Sequence, residues 1–329
     1  MGYKVIKMQI YKFNDILKPV LWGGSKLAAF KHLAPSSEPI GESWELSAVP
    51  GHESVVASEG EDCGLTLTQL VQRHGAALVG DEVYRAFGDK FPLLIKFIDA
   101  KQDLSLQVHP DDAMAAREHG ASGKTEMWYV VDSEDDAVIR TGFNRGLSPE
   151  EYERRVGDNT ILDVVNATPT KPGDTFFIPA GQIHSIGAGN LIAEVQQSSD
   201  ITYRVYDYGR RDADGNLREL HTRQACEALN FDASNSKVDL VTAAGPGVTP
   251  LVKCPKFDVR RLDFGNGYTL DLPQPHNFVV LMCLNGETTV TADEEIGSAS
   301  LLRGVTVLVP ATATRITLTG KARLLLVTM

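Results

Sequence analysis

The sequence predicts a mostly β protein, built from two jelly-roll β-barrel units with a few short helices. Three observations carry that expectation. Glycine (29) and proline (16) punctuate the 329-residue chain often, and the segments between them are mostly short and apolar-rich. That is the pattern of a sandwich or barrel rather than of a helical bundle. Phe91–Ile98, Met127–Val131 and Asp174–Ile178 read as strands of this kind. Finally, the segment Gly173-Asp-Thr-Phe-Phe-Ile-Pro-Ala-Gly-Gln-Ile-His184 recurs 131 residues later as Gly304-Val-Thr-Val-Leu-Val-Pro-Ala-Thr-Ala-Thr-Arg315, with glycine, threonine, proline and alanine in register.

Each copy of the repeat reads as turn, strand, Pro-Ala turn, strand, and each follows an apolar strand, Met127–Val131 or Phe278–Leu284. Two units follow from it, residues 1–232 and 233–329. Arg315 stands where His184 stands in the first copy, so metal chemistry is expected in the first unit alone. Three helical segments are expected there. Residues 67–87 carry apolar side chains at helical spacing, interrupted by glycines. Residues 148–165 open with Ser148-Pro149-Glu150-Glu151, a cap followed by proline and acids in the first turn. Residues 222–229 form the third, with Thr222 as the expected cap.

Bulk properties exclude several classes. Hydrophobic residues make up 43% and charged residues 23% of the chain, the proportions of an ordinary globular protein. No apolar run approaches the roughly 20 residues that cross a bilayer, so no membrane association is expected. A formal charge of −11 argues against nucleic acid, whose partners carry basic stripes. Cys63, Cys226, Cys254 and Cys283 lie far apart with no Cys-x-x-Cys pair, as for thiols in a reducing compartment. Residues 1–13 show no secretory leader, and Ile6 stands where an acylation motif wants Ser or Thr. A cytoplasmic protein is expected, as a monomer or small homo-oligomer. Any anionic substrate would then need a local cluster of Lys and Arg on this acidic background.

The chemistry gathers in four stretches. Gln107 and His109 are two apart on an extended segment, so both point to one face, which Ser105 shares. Such a pair suits metal ligation or a hydrogen-bonded, half-buried strand. Glu126 leads into an apolar strand, where a carboxylate is costly unless solvated, paired or metal-bound. Lys124, two residues earlier, is either its surface partner or a second functional group. His184 follows a Pro-Ala-Gly turn. Together these supply two imidazoles, one carboxylate and one amide oxygen, a donor set for zinc that also admits iron or manganese. Glu194 and Arg204 sit in apolar-flanked strand patterns, where unpaired charge is expensive. Arg204 is either the partner of Glu194 or Asp200, or a planar fork for phosphate or a developing enediolate.

Taken together these stretches resemble the type I phosphomannose isomerases, in particular the short bacterial form. Leu21-Trp-Gly-Gly24, Gly41-Glu-Ser-Trp-Glu-Leu-Ser47, the Gln-Val-His-Pro-Asp run at 107–111 and Tyr203-Arg-Val-Tyr-Asp207 occur in the family's order. The resemblance implies a cupin-like fold and an enzyme with one Zn2+ per chain. It also implies interconversion of mannose 6-phosphate and fructose 6-phosphate through an enediol(ate). Gln107, His109, Glu126 and His184 match the family's metal ligands, and Arg204 and Lys124 its active-site cations. With Glu194 these form the expected catalytic set. Lys124 is the first candidate base and His52 a second, with Lys96 and Ser105 as further candidates for the phosphate. The span between Glu126 and His184 is shorter than in longer family members, so a helical insertion is missing. Two rivals remain at this point, a non-catalytic sugar-phosphate-binding module and another metal-dependent cupin enzyme. Gln107 and His109 lie 19 and 17 residues before Glu126, wider than the close first motif of many metal cupins.

Overall fold

Strand Leu93–Ala100 is buried along its whole length, so the sheet that holds it must be covered on both faces. In the computed structural model, which describes residues 8–34, 38–211, 215–239 and 247–329, both covers are present. Residues 1–7, part of the segment read as lacking a leader, lie outside the described residues. The covered sheet has six antiparallel strands, in the order Ile16–Gly24, Ile40–Leu46, Leu93–Ala100, Asn190–Gln197, Glu126–Ser133 and Thr175–Ile178. Alternation divides its side chains between two cores. Leu93, Ile95, Phe97, Met127, Tyr129 and Val195 pack against Val280, Met282, Leu308 and Val327 of the C-terminal unit. Ile98, Trp128, Val130 and Ile192 pack against Leu104, Ile139 and Ile186.

Ile139 and Ile186 belong to a five-stranded sheet, ordered Tyr203–Tyr206, Leu106–Val108, His184–Ile186, Val138–Phe143 and Val165–Pro169. Helices Pro149–Gly157 and Thr222–Ala228 seal its outer face, with Tyr152, Val156 and Ala225 set against Leu106, Val108 and Phe143. The third sheet has eight strands and curls about its own core of Leu262, Val279, Leu281, Val290 and Leu324. One of its edge strands is Tyr11–Lys12, from the N-terminal part of the chain.

The architecture is mostly β and cupin-like. The sheets are open rather than closed barrels, because the five- and six-stranded sheets share no ladder among the described residues. Apolar packing between their faces joins them instead. Both copies of the repeat are strand, turn, strand: Thr175–Ile178 with His184–Ile186, and Thr306–Val309 with Arg315–Thr328. Arg315 is exposed and paired with Asp271 at 2.8 Å.

The helices depart from the sequence expectation in detail. Residues 67–87 form three short helices, Leu67–His74, Ala76–Val79 and Asp81–Phe87, broken at Gly75 and Gly80. Gly80 has φ +92°, and a Cβ there would lie 2.6 to 2.9 Å from Asn277 and His276, so glycine is what admits the C-terminal unit. Ser148 caps its helix as expected, accepting from the Glu151 amide, but the helix ends at Gly157. A 3-10 turn at Ile161–Val164 follows, and Val165 already starts a strand. Thr222 is the first helical residue rather than the cap, which is His221. Helices Lys26–Phe30 and Asp112–His119, only five and eight residues long, are additional to those the sequence predicts. All four cysteines are free. No helix among the described residues is long and apolar enough to cross a membrane.

Candidate active site and metal centre

Register places two rows of functional side chains on facing sheets. On the six-stranded sheet Trp44 pairs with Lys96, Lys96 with Glu194, and Glu194 with Trp128. On the five-stranded sheet His184 lies opposite Gln107, and Gln107 opposite Arg204. Within the first row the Lys96 ammonium is 3.0 Å from Glu194 Oε2, and the Trp128 indole N–H donates to Oε1 at 2.8 Å. Burial alone would raise the Glu194 carboxyl, but Lys96, Lys124 and the indole bond hold it at about 2. Burial likewise works against the Lys96 charge, yet Glu194 and Glu42 outweigh it and raise its pKa. Lys96, a candidate for the phosphate in the sequence reading, lines the cavity described below and is ion-paired with Glu194.

His109, Glu126 and His184 are fully buried, and one donor atom from each lies within 4.8 Å of the others. His184 Nε2 is 3.3 Å from Glu126 Oε1 and 3.1 Å from His109 Nε2, and His109 Nε2 is 3.6 Å from Glu126 Oε2. The other ring nitrogens fix the tautomers. His109 Nδ1–H donates to the Ile201 carbonyl and His184 Nδ1–H to that of Gln182, each at 2.8 Å. Both Nε2 lone pairs thus face inward, the arrangement that second-sphere carbonyls impose on metal-ligating imidazoles. Burial pushes the His184 pKa to about 3 and His109 well below its usual value, so both rings are neutral near pH 7. Burial also raises Glu126 to about 7, with Lys124 opposing and Glu194 adding to the rise.

Neither Glu126 oxygen has a hydrogen-bond partner, although the Lys124 ammonium stands 3.0 Å away. Buried lone pairs turned on one another are unfavourable unless a cation sits among them. The residues therefore fit a metal ion, with nitrogen and oxygen donors suited to zinc. The Gln107 amide nitrogen is 3.3 Å from His184 Nε2, and a half-turn about χ3 presents Oε1 there as a fourth donor.

A pinned loop delivers Lys124 and Glu126. The Gly123 amide donates to Asp112 Oδ1 and the Thr125 amide to Gln197 Oε1, both at 2.9 Å. Gln197 Nε2 also donates to Asp112 Oδ1, and Lys256 of the C-terminal unit pairs with Oδ2. A Cβ on Gly123 would lie 2.5 Å from the Asp111–Asp112 peptide, so only glycine passes this close. Asp112→Ala removes the acceptor of three donors, Gly123, Gln197 and Lys256, at about 1 to 3 kcal/mol for each of the two buried ones left unmet. It is expected to lower kcat about tenfold or more. Steady-state kinetics with Asp112→Asn, which keeps an acceptor and so most of the rate, checks this.

A cavity of about 380 Å³ lies beside this cluster, with Gln107 and Lys124 on its wall. All three tryptophans of the chain, Trp22, Trp44 and Trp128, line it. Ile98, Leu104 and Ile186 make its apolar end, while Glu42, Lys124, Glu194, Asp200, Thr202, Arg204 and Arg218 make the polar wall. Arg204 pairs with neither Glu194 nor Asp200. It donates from Nη1 to the Glu219 carbonyl at 2.8 Å, while its Nε is buried without an acceptor. Burial and then the nearby Arg218 push its pKa below the usual value. Asp207 holds Arg218 through an Nε–Oδ2 bond of 2.7 Å, so two guanidiniums face one cavity.

Ser105 lines the cavity, 3.5 Å from Gln107 Oε1. His52 does not: it is exposed, with Nδ1 2.8 Å from the Lys18 ammonium and its ring edge-on to Trp44. The sequence reading missed Trp22, Glu42, Trp44, Thr202 and Arg218. Glu42 and Trp44 are two apart on one strand, so the alternation that singled out Gln107 and His109 would have found them. Arg218 lies in neither a helix nor a strand and leaves no such signal.

Facing jelly-roll sheets with two neutral imidazoles and a buried carboxylate under a charged cavity define a cupin with a candidate metal centre. Comparison with known proteins narrows this class. The model of the phosphomannose isomerase type I catalytic domain matches residues 10–136, and that of the mannose-6-phosphate isomerase cupin domain matches residues 248–329. Mannose-6-phosphate isomerase ManA of Bacillus subtilis is 36% identical over 86% of this chain and 88% of its own length. The mannose-6-phosphate isomerase of Streptococcus mutans is 35% identical over 83% of this chain and 85% of its own length. A crystal structure of the mannose 6-phosphate isomerase from Bacillus subtilis superposes with a TM-score of 0.87 at 31% identity, covering 98% of this chain and all of that one. The chain belongs to the type I phosphomannose isomerase family and is an aldose–ketose isomerase acting on mannose 6-phosphate.

Proposed function

We propose that the chain interconverts mannose 6-phosphate and fructose 6-phosphate through an enediol(ate), using one zinc ion held by Gln107, His109, Glu126 and His184. The observation that carries this is the convergence of buried donor atoms from Glu126, His109 and His184, the two Glu126 oxygens without a hydrogen-bond partner among the described residues, beside a cavity that Gln107 and Lys124 line. When bound there, zinc supplies a Lewis acid for the sugar's O1 and O2, worth several kcal/mol to an enediolate.

The residues of the chain do the rest. Lys124, on the cavity wall and 3.0 Å from Glu126, holds and moves the proton that passes between C2 and C1. Glu194, kept ionised by Lys96 and Trp128, accepts from sugar hydroxyls and orients the chain of the substrate. Arg204, next to Gln107 in register, faces charge developing at the reacting end. Arg218 and Ser105 take the phosphate, and the three tryptophans exclude water from the sugar. Residues 1–232 form the catalytic unit and 233–329 the second, in keeping with a cavity lined only from the first. The four free thiols support a cytoplasmic enzyme, and we propose a monomer or small homo-oligomer with no nucleic-acid partner.

The test is a coupled assay with mannose 6-phosphate, following fructose 6-phosphate, before and after chelation and zinc add-back. Activity lost on chelation and restored by zinc supports the reading. Full turnover in metal-free protein overturns its metal step. Because every tryptophan lines the cavity, a non-isomerisable polyol 6-phosphate is expected to change intrinsic emission saturably. The midpoint should match its competitive inhibition constant; flat emission at inhibiting concentrations would contradict the placement.

A further inference from the structure

A second cavity, of about 390 Å³, lies on the reverse face of the catalytic sheet where that sheet meets the C-terminal unit. Tyr129, Val131 and Leu191 reach it from strands whose alternate residues, Trp128, Val130 and Ile192, face the active-site side. Leu284, Asn285, Arg303 and Arg323 close it from the C-terminal unit, and Lys26 and Phe30 from the helix between them. Three cations thus line one cavity of a chain of net charge −11.

Their partners differ. Lys26 is taken by Asp132 at 3.4 Å and Glu134 at 3.1 Å, and Arg323 Nε by Asp263 at 2.6 Å. Arg303 has no carboxylate partner among the described residues. Its Nη2 makes one long bond, 3.3 Å, to the Ala29 carbonyl, and its plane lies over Phe30 at 5.8 Å. Its Nε is shut off from water and has no acceptor. Arg303 therefore brings to the cavity a guanidinium that no carboxylate neutralises, and the natural complement of such a fork is the two-oxygen edge of a phosphate or carboxylate. Phe30, Tyr129 and Leu284 supply an apolar surface for whatever carries that anion.

We propose that this cavity is a second binding site, distinct from the catalytic one, for a small organic anion with a phosphate or carboxylate head and a flat or apolar body. The head sits on Arg303, with Arg323 and Asn285 beside it, and the body on Phe30 and Tyr129. Asp132, which lines the cavity from the catalytic sheet, limits the site to a compact head.

Calorimetric titration of phenyl phosphate into the zinc-loaded full chain, with fructose 6-phosphate saturating the catalytic cavity, tests this. Binding is expected to persist under saturation and to exceed that of inorganic phosphate. It should weaken at least tenfold in Arg303→Gln and also in Arg303→Lys, which keeps the charge and loses the fork, with melting temperatures unchanged. Arg204→Ala should leave it intact. No heat at millimolar phenyl phosphate, displacement by fructose 6-phosphate, or full binding in both Arg303 variants would each overturn the proposal.

Discussion

Glu126→Gln is expected to empty the metal centre and to lower kcat/KM about a thousandfold or more, the rate equivalent of the several kcal/mol a Lewis acid supplies. The substitution keeps the shape of the side chain and removes the one formal negative charge among His109, Glu126 and His184. It also turns one inward acceptor into a donor, which repels a cation instead of binding it. Two readouts check the argument together. Metal content after dialysis should fall from about one per chain to a small fraction. The rise in melting temperature on adding zinc should shrink as well, since free metal at about a thousand times its Kd stabilises the native state by about 4 kcal/mol. A variant that retained stoichiometric zinc and wild-type turnover would show that Glu126 is not a ligand.

Arg204→Ala should cost about a hundredfold or more in kcat/KM, with the larger part in kcat. Removing one preorganised donor to a developing oxyanion typically has this size. The reason to expect a kcat effect is position: Arg204 lies opposite Gln107 in the strand register, beside the donor cluster. Its buried Nε has no acceptor among the described residues. Arg204→Lys should recover little, because an ammonium cannot reproduce the planar fork. Arg218→Ala, by contrast, is expected to raise KM about tenfold with kcat nearly unchanged, as loss of uniform binding does. An Arg204→Ala enzyme with normal kcat and raised KM would instead make Arg204 the phosphate anchor.

The two sites share one sheet and opposite rules. On the active-site face, charge is compensated residue by residue, Lys96 by Glu194 and Lys124 by Glu126. Arg204 Nε and the two Glu126 oxygens are left without a hydrogen-bond partner among the described residues. On the reverse face the apolar packing of the two units dominates, and Arg303 is the charge left over. In both places the informative signal is a buried polar atom without a partner rather than the size of the cavity.

What the sequence determined by itself was everything set by local period and by repeats. Alternation put Ser105, Gln107 and His109 on one face, strand entry singled out Glu126, and the repeat at an offset of 131 residues placed His184 in a strand-turn-strand unit that recurs without a histidine. Gly and Pro spacing was enough for a mostly β fold. Tertiary structure decided what depends on which strands become neighbours. Lys96 and Glu194 are 98 residues apart in sequence and become an ion pair only through register. His52 lies outside the cavity, and Trp44 and Arg218 lie on its wall. The long segment 67–87 breaks at Gly80 because the C-terminal unit packs there. Tyr11–Lys12 joins the eight-stranded sheet, a pairing across nearly the whole chain. Local propensity reaches three or four residues, whereas burial, pairing of charges and strand register are fixed only when distant segments meet.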